Sequence, residues 1–320
     1  DPDAVTHERN FSLCILLALA YGASIGGMAT LIGSPPNGIY MRFMEQTYGQ
    51  VVSIASWMKV GVPVTLLLFI VSFFVLTGLM FRNMGGSVPG GKEWVRNELR
   101  SMGKLSTGEK AVGLCFLIAA VLWFSGAQLR GINIDGWQPF KYLTDAVIAM
   151  GMGIVPFLIP VDRKGTMAMD WKTANEAISW DVLLLFGGGL SLASAIQHTG
   201  VAQLIGAQVA VLAGSPFPVV LFGVVFIVTF ATGVTSNTAL AAMMMPLLAA
   251  VANALGLPPQ PILMGTALAA SAAFILPIST PPNAIVFGTG KIKIADMFRA
   301  GILINFVAIF VITGVMLLLD

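Results

Sequence analysis

The sequence predicts an all-α membrane protein, built as an inverted repeat with a re-entrant hairpin and discontinuous helices. Three observations carry that reading. Of 320 residues, 57% are hydrophobic and 10% are charged, whereas a soluble domain carries about 25% charged residues. No Asp, Glu, Lys or Arg occurs anywhere in residues 182–290. A Pro-Pro-Asn motif occurs twice, in Ser34-Pro35-Pro36-Asn37-Gly38-Ile39 and in Thr280-Pro281-Pro282-Asn283-Ala284-Ile285, each time inside an apolar stretch.

With a mean hydropathy of +0.87 the chain has too little charge to cover a water-facing surface, so its solvent is the lipid bilayer. The net charge of +2 gives no footprint for nucleic acid. Cys14 and Cys115 sit in apolar stretches as small hydrophobes, with no disulfide framework and no metal pattern.

Taken in order, the apolar segments 11–31, 57–81, 110–129, 142–160 and 181–197 read as spans, most of them near the ~20 residues that cross a ~30 Å hydrocarbon core. The polar stretch 82–109 reads as a loop, and 200–214, short and Gln-bearing, as an interfacial helix. Segment 217–255 is about twice the length of one crossing, yet Thr235-Ser236-Asn237-Thr238 falls at its middle. A re-entrant hairpin with its tip at that polar quartet fits better than one helix. Segment 261–290 contains Ser279-Thr280-Pro281-Pro282-Asn283, and paired prolines remove two donors and disfavour helix before them, so this reads as a broken helix. A final span follows at 297–319.

Basic residues orient the chain. With 82–109 in the cytoplasm and the hairpin returning to its own side, thirteen Lys and Arg lie inside and four outside; treating 217–255 as a single crossing gives ten and seven. The hairpin reading wins. It places the two Pro-Pro-Asn copies in opposite directions across the membrane. Their downstream stretches also match, Ile54-Ala55-Ser56-Trp57-Met58-Lys59-Val60-Gly61 against Ile294-Ala295-Asp296-Met297-Phe298-Arg299-Ala300-Gly301. An inverted repeat with a discontinuous helix in each half is the pattern of secondary transporters. The expected organisation is the end of a first repeat in 1–85, a cytoplasmic linker in 86–108, and a second repeat in 109–320. The chain opens Asp1-Pro2-Asp3 and the first broken helix begins almost at once, so a partner hairpin is expected upstream, on an N-terminally truncated reading.

Polar backbone within the bilayer is tolerated where it lines a cavity or is buried in protein. The Ser236-Asn237-Thr238 and Thr280-Pro281-Pro282-Asn283 stretches therefore read as a binding site. Helix N-termini suit carboxylates, while free carbonyls and hydroxyls suit Na⁺. No acidic residue lies near mid-depth in the predicted spans; His7 and His198 fall at span ends. Proton-coupled carriers use such groups as relays, so Na⁺ coupling is favoured over H⁺. Gly86 to Glu93 imitates a phosphate loop but has Glu93 where Ser or Thr is required. No nucleophile–base motif is visible, and no enzyme is expected.

Four stretches together resemble the divalent-anion:sodium symporter family. They are Ala23-Ser24-Ile25-Gly26-Gly27-Met28-Ala29-Thr30-Leu31-Ile32-Gly33-Ser34-Pro35-Pro36-Asn37, Trp180-Asp181-Val182-Leu183-Leu184-Leu185-Phe186-Gly187-Gly188-Gly189, Ser236-Asn237-Thr238 and Ser279-Thr280-Pro281-Pro282-Asn283. The resemblance implies a bacterial inner-membrane homodimer that carries C4 dicarboxylates such as succinate with Na⁺ by an elevator motion. It implies a carboxylate held by Ser236, Asn237 and Thr238, helped by Thr280, Pro281, Ser34 and Pro35. One Na⁺ would be held by Thr232, Thr235, Asn237 and Ser279, and another near Gly33 with the upstream hairpin. A Na⁺-independent exchanger, a citrate or sulfate carrier, and a non-transporting scaffold or channel fragment stand as alternatives.

Overall fold

The computed structural model describes residues 2–82, 91–135, 137–162, 165–178 and 214–319, with scattered positions between 184 and 201. The expected span 181–197, the interfacial helix 200–214 and most of the loop resembling a phosphate site lie outside the described residues. What is described is helical, with two isolated β-bridges and no strand.

The helices are α1 (Pro2–Gly27), α2 (Pro35–Tyr48), α3 (Ile54–Phe74, continued by one π-helical stretch, Val75–Met80), α4 (Gly91–Ser101), α5 (Thr107–Arg130), α6 (Asp145–Ile154) and α7 (Trp171–Ala177). After them come α8 (Phe217–Ala231), α9 (Asn237–Leu255), α10 (Pro259–Ser271), α11 (Pro281–Gly288) and α12 (Ile294–Leu319). Among the described residues five helical stretches are long and apolar enough to cross a bilayer: His7–Gly27, Ile54–Met80, Thr107–Gly126, Asn237–Leu255 and Ile294–Leu319. The chain is a multi-pass membrane protein.

Three sequence expectations need correction. The stretch 82–109 is not all loop, because it contains α4. There Trp94, Val95 and Leu99 stand exposed among Lys92, Glu93, Arg96, Glu98 and Arg100; the charges hid a helical period that the apolar positions carry. The span 142–160 contains only ten α-helical residues, α6, before a 3₁₀ turn at Val155–Phe157. At 1.5 Å per residue this is roughly 15 Å, half a crossing. The second broken helix does not break at its prolines. Helix α10 stops at Ser271, and Pro281-Pro282 begin α11, where a missing N–H is no loss.

One compact unit comprises Asp1–Val52, Ser56–Gly86 and Asp181–Asp320; the other comprises Ser53–Ala55 and Ser87–Trp180. In the second, α5 is started by a capping box in which Ser106 Oγ accepts from the Glu109 N–H and the Glu109 carboxylate accepts from the Ser106 N–H. Its far end is tied to α6, with Trp123 Nε1 donating to Asp145 O at 3.1 Å and Arg130 Nη1 donating to Leu143 O at 2.9 Å.

The first unit is organised around α10, in which every residue from Pro261 to Ser271 is buried. A helix without a polar face must be surrounded, and α8, α9, α12 and α2 pack on it. Its Gly, Ala, Ser and Thr side chains permit close backbone approach. A Cβ at Gly265 would meet Leu221 Cδ1 at 3.2 Å.

The repeat read from sequence is repeated in geometry. Asn37 Nδ2 donates to Gly27 O at 3.1 Å and Thr30 O at 2.8 Å, ten and seven residues back. Asn283 Nδ2 donates to Ala273 O at 3.0 Å and Leu276 O at 3.1 Å, again ten and seven back. Both asparagines are 0% exposed. Each amide thus bridges carbonyls that a broken helix would otherwise leave unpaired in hydrocarbon, at a cost of several kcal/mol each. The following helices dock alike. Gly61 lies against the carbonyls of Met28 and Ala29, and Gly301 against the carbonyl of Phe274, so close that a Cβ has no room at either.

Candidate functional site

The hairpin turn, residues 232–236, connects α8 to α9, and it meets the break between α10 and α11. Ser279 Oγ donates to Gly233 O at 2.8 Å across 46 positions of sequence. In the other direction Thr232 Oγ1 reaches Ala270 O at 2.8 Å. Each interrupted segment therefore caps the other. The two breaks face one another, as the site reading requires.

Thr232 is 0% exposed, and its Oγ1 also lies 2.6 Å from Asn237 Oδ1. One hydroxyl proton faces two acceptors that cannot donate, the Ala270 carbonyl and the Asn237 amide oxygen. Whichever acceptor the proton serves, an electron-rich oxygen remains beside it. Three oxygens sharing one proton are chemically suited to a hard cation. That cluster gathers Thr232 and Asn237 as expected and adds Ala270 O, which sequence reasoning missed. A backbone carbonyl in a run of alanines gives no sequence signal. Thr235 is not brought into the cluster: it is exposed, and its Oγ1 donates to Ala231 O at 2.9 Å within its own turn.

The donors lie on the start of α9. Ser236 is its N-cap and accepts from Ala239 N, and Leu240 N bonds Ser236 O at 2.8 Å. The N–H groups of Asn237 and Thr238 find no acceptor among the described residues, and the hydroxyl of Thr238 and the Asn237 Nδ2 are likewise uncommitted. Because Asn237 turns its Oδ1 toward Thr232, its amide nitrogen points the other way. A 19-residue helix adds its positive dipole end at this spot. No Lys or Arg is needed to attract a carboxylate there.

The starts of α2 and α11 behave differently. Their first two positions are prolines, without N–H. At α11 the next donors are already used, Asn283 N on Thr280 Oγ1 at 3.4 Å and Ala284 N on Thr280 O at 3.1 Å. At α2, Asn37 N bonds Ser34 O at 3.1 Å. These ends offer side-chain hydroxyls, from Ser34 and Thr280, and the apolar rings of the exposed Pro35 and Pro281. The expectation that broken-helix N-termini supply free amides holds for the hairpin and fails for the Pro-Pro starts.

In the first half, Gly33 is exposed and its backbone is pressed on Gly27, where a Cβ on Gly33 would fall 2.5 Å from Gly27 O. Ser34 Oγ lies 2.8 Å from Ser271 Oγ at the end of α10. The structure so brings Ser34 to the second half's break, through a serine with no motif to announce it. Asn305 of α12, 0% exposed, is a second polar side chain missed in an apolar helix. Its Nδ2 donates to Thr229 O at 3.4 Å, a carbonyl in the last turn of α8. Among the described residues no group of three or more His, Cys, Asp or Glu is placed to hold a metal.

The family described as sodium:sulfate symporter transmembrane region matches residues 2–319. A sodium-dependent dicarboxylate transporter of Staphylococcus saprophyticus is 38% identical over 305 residues, which cover 94% of this chain and 58% of that protein. A sodium-dependent dicarboxylate transporter of Staphylococcus aureus is 37% identical over 309 residues, 96% of this chain and 58% of that one. The chain thus spans under two thirds of the length of these relatives. With the match running through both breaks and the hairpin, the chain belongs to the sodium:sulfate symporter family.

Proposed function

We propose that the protein carrying this chain is a secondary active transporter, a Na⁺-coupled symporter of C4 dicarboxylates working by an elevator motion as a homodimer in the bacterial inner membrane. The reading rests on one observation above the others: Thr232 Oγ1 sits 2.6 Å from Asn237 Oδ1 and 2.8 Å from Ala270 O with a single proton among the three oxygens. The names of the similar staphylococcal proteins support the same reading.

On this reading Na⁺ is held by Thr232 Oγ1, Asn237 Oδ1 and Ala270 O, with the Ser279 backbone alongside. A carboxylate is held by the N–H groups of Asn237 and Thr238, the Thr238 and Thr280 hydroxyls and the Ser236 hydroxyl. Pro281 and Pro35 face the methylene chain. Asn237 serves both ligands, its oxygen toward the cation and its nitrogen toward the anion, and that shared residue is the physical coupling. The cation draws the Asn237 oxygen and so orients the amide nitrogen for the carboxylate. Gly33 and Ser34 contribute from the other half.

The test is uptake of labelled succinate by the full-length protein in proteoliposomes, with and without an inward Na⁺ gradient. Uptake that follows the gradient in the wild type and vanishes in Asn237→Ala is expected. Uptake indifferent to Na⁺ points to exchange and overturns the symport reading. A preference for citrate or sulfate in the same assay moves the substrate class and leaves the cation site standing.

A further inference from the structure

Every residue of α4 from Glu93 to Ser101 is exposed, although the helix is not polar all round. Residues four apart form rows along a helix surface. Val95 and Leu99 make an apolar row, and Arg96 and Arg100 make a basic row beside it. Trp94 and Glu98 make the row on the other flank, while Glu93, Asn97 and Ser101 run along the back, with Asn97 opposite the apolar row. Trp94 is 67% and Leu99 69% exposed, and Met102 and Leu105 just beyond the helix are exposed as well. Apolar side chains gathered in this way mark a surface that meets something else.

Where the helix is held decides what that is. The chain leaves α4 through Gly103, in the left-handed conformation at φ +72°, and reaches Ser106, whose capping box starts α5. At about 3.6 Å per residue at most, the end of α4 stays within roughly 20 Å of the start of Thr107–Gly126, a stretch able to cross a bilayer. The membrane surface is therefore an apolar phase always within reach, at the cost of a short leash.

Charge selects the kind of lipid. Residues 82–110 contain six Lys and Arg against three Glu, and Glu109 is already committed to the capping box. The basic residues of the whole chain place this stretch in the cytoplasm, on the side where anionic headgroups attract basic segments close to a membrane. An arginine beside an apolar row can lay its stem on the acyl boundary and keep its guanidinium among the phosphates. Trp94 suits the same boundary, apolar in its ring and polar at its N–H. Glu98 is the one charge on the apolar side, and it opposes such binding.

We propose that α4 is an interfacial anchor that binds anionic lipid, lying along the cytoplasmic membrane surface with Trp94, Val95 and Leu99 in the acyl boundary and Arg96, Arg100 and Lys104 among the headgroup phosphates. The inference concerns the unit containing Ser87–Trp180 and stands independently of the Na⁺ and carboxylate site.

The experiment uses the full-length protein with a single nitroxide label, at Leu99→Cys on the apolar row or Asn97→Cys on the back. Each is placed in nanodiscs of phosphatidylcholine, with or without one quarter phosphatidylglycerol. Collisions with oxygen, which concentrates in lipid, are compared with collisions with a water-soluble nickel chelate, and succinate uptake checks that each labelled protein is folded. With phosphatidylglycerol present, the label at 99 should favour oxygen and the label at 97 nickel. In phosphatidylcholine alone, or with Arg96→Gln and Arg100→Gln together, nickel access at 99 should rise about fivefold or more, since one basic residue near an anionic surface is worth about that factor. A wash in 1 M KCl, where screening acts over ~3 Å, should do the same to the protein with its arginines intact, and it carries the test if the double variant does not fold. Glu98→Gln should lower nickel access at 99. A label at 99 that meets nickel freely in phosphatidylglycerol nanodiscs puts the helix in water and overturns the proposal. A label at 99 shielded from both reagents means that protein covers the face, and overturns it equally. Oxygen preference at 99 that is indifferent to phosphatidylglycerol, arginine and salt removes the anionic lipid, and the proposal falls.

Discussion

Asn283 and Asn37 show how much one side chain decides in a bilayer. Each holds two carbonyls with one NH₂ group, at 3.0 and 3.1 Å in the second copy and 3.1 and 2.8 Å in the first. The amide oxygens of both have no partner among the described residues, so the nitrogen alone carries the role. Replacing Asn283 by Asp or Leu removes the donors and leaves Ala273 O and Leu276 O bare, at roughly 1–3 kcal/mol each. Both variants should lower the thermal unfolding midpoint in detergent, and a wild-type midpoint in Asn283→Asp would remove the clamp from the account. Thr232→Val, nearly the same shape, should weaken Na⁺ dependence of uptake by tenfold or more while succinate binding at saturating Na⁺ survives; equal losses for both ligands would argue that Thr232 is packing. The motif was legible at this scale and its mechanism only partly. Pro-Pro-Asn marked a break in the sequence, but the asparagine's grip on residues ten and seven positions back depends on a fold that brings the chain round. Ala270 and Ser271 lie in an unbroken run of small residues, where nothing local distinguishes a ligand from filler.

At the scale of elements, the hairpin and the second discontinuous helix were predictable because each combined an improbable length with a polar interruption, and depth in lipid makes that combination costly unless it is used. The true stop of α10 was not legible. Residues 272–276 leave the helix without Gly or Pro, and what ends α10 there is tertiary: Thr232 takes Ala270 O and Asn283 takes Ala273 O. Helix α4 was missed because its charges looked like a linker. Glycine explains the docking of the third element of each repeat. Gly301→Ala forces a methyl into the Phe274 carbonyl, and overpacking of this kind typically destabilises by about 1–3 kcal/mol. Gly314→Ala in the same helix meets nothing within 4 Å and gains helix propensity. A lower yield of folded protein for Gly301→Ala with Gly314→Ala unaffected is the expected pair; two equal losses would show that α12 tolerates no alanine anywhere. On the polar side, Asp170 caps α7 by accepting from Thr173 N at 2.9 Å and Thr173 Oγ1 at 2.8 Å. Those bonds, first of all the one from the Thr173 N–H, hold its carboxyl below the usual aspartate range. A lowered folded value means the cap is intact above the ordinary aspartate pKa and is lost as pH falls through the lowered one. Amide exchange at α7 should therefore quicken in acid, and Asp170→Asn, which cannot titrate, should flatten that response.

For the whole molecule, the decisive fact is where the candidate site lies. Thr232, Asn237, Ala270, Ser279, Thr280, Gly33, Ser34 and Ser271 all fall within one compact unit, and none in the unit containing Ser87–Trp180. Both breaks, the hairpin and α12 are bonded to one another inside that unit, from Tyr21 OH on Met297 O at 3.1 Å to Ser279 Oγ on Gly233 O at 2.8 Å. A rocking mechanism would have to part these bonds in every cycle, leaving carbonyls bare in lipid, whereas an elevator motion carries them together. The energetic argument favours the second. Arg9 and Asp296 offer a way to ask. Their side chains make an ion pair at 3.6 Å within this unit, with the arginine 55% exposed, and such a partly exposed pair contributes little to stability by itself. Cysteines placed at 9 and 296 in the full-length protein can be joined by a short bifunctional maleimide, while the native Cys14 and Cys115 are buried and out of reach. If the unit travels as one body, the cross-linked protein should keep Na⁺-driven succinate uptake near that of the uncross-linked double variant. Uptake that stops on cross-linking and returns when a cleavable linker is cut would mean that the first half and the last helix move apart during transport, and the one-body reading would fall.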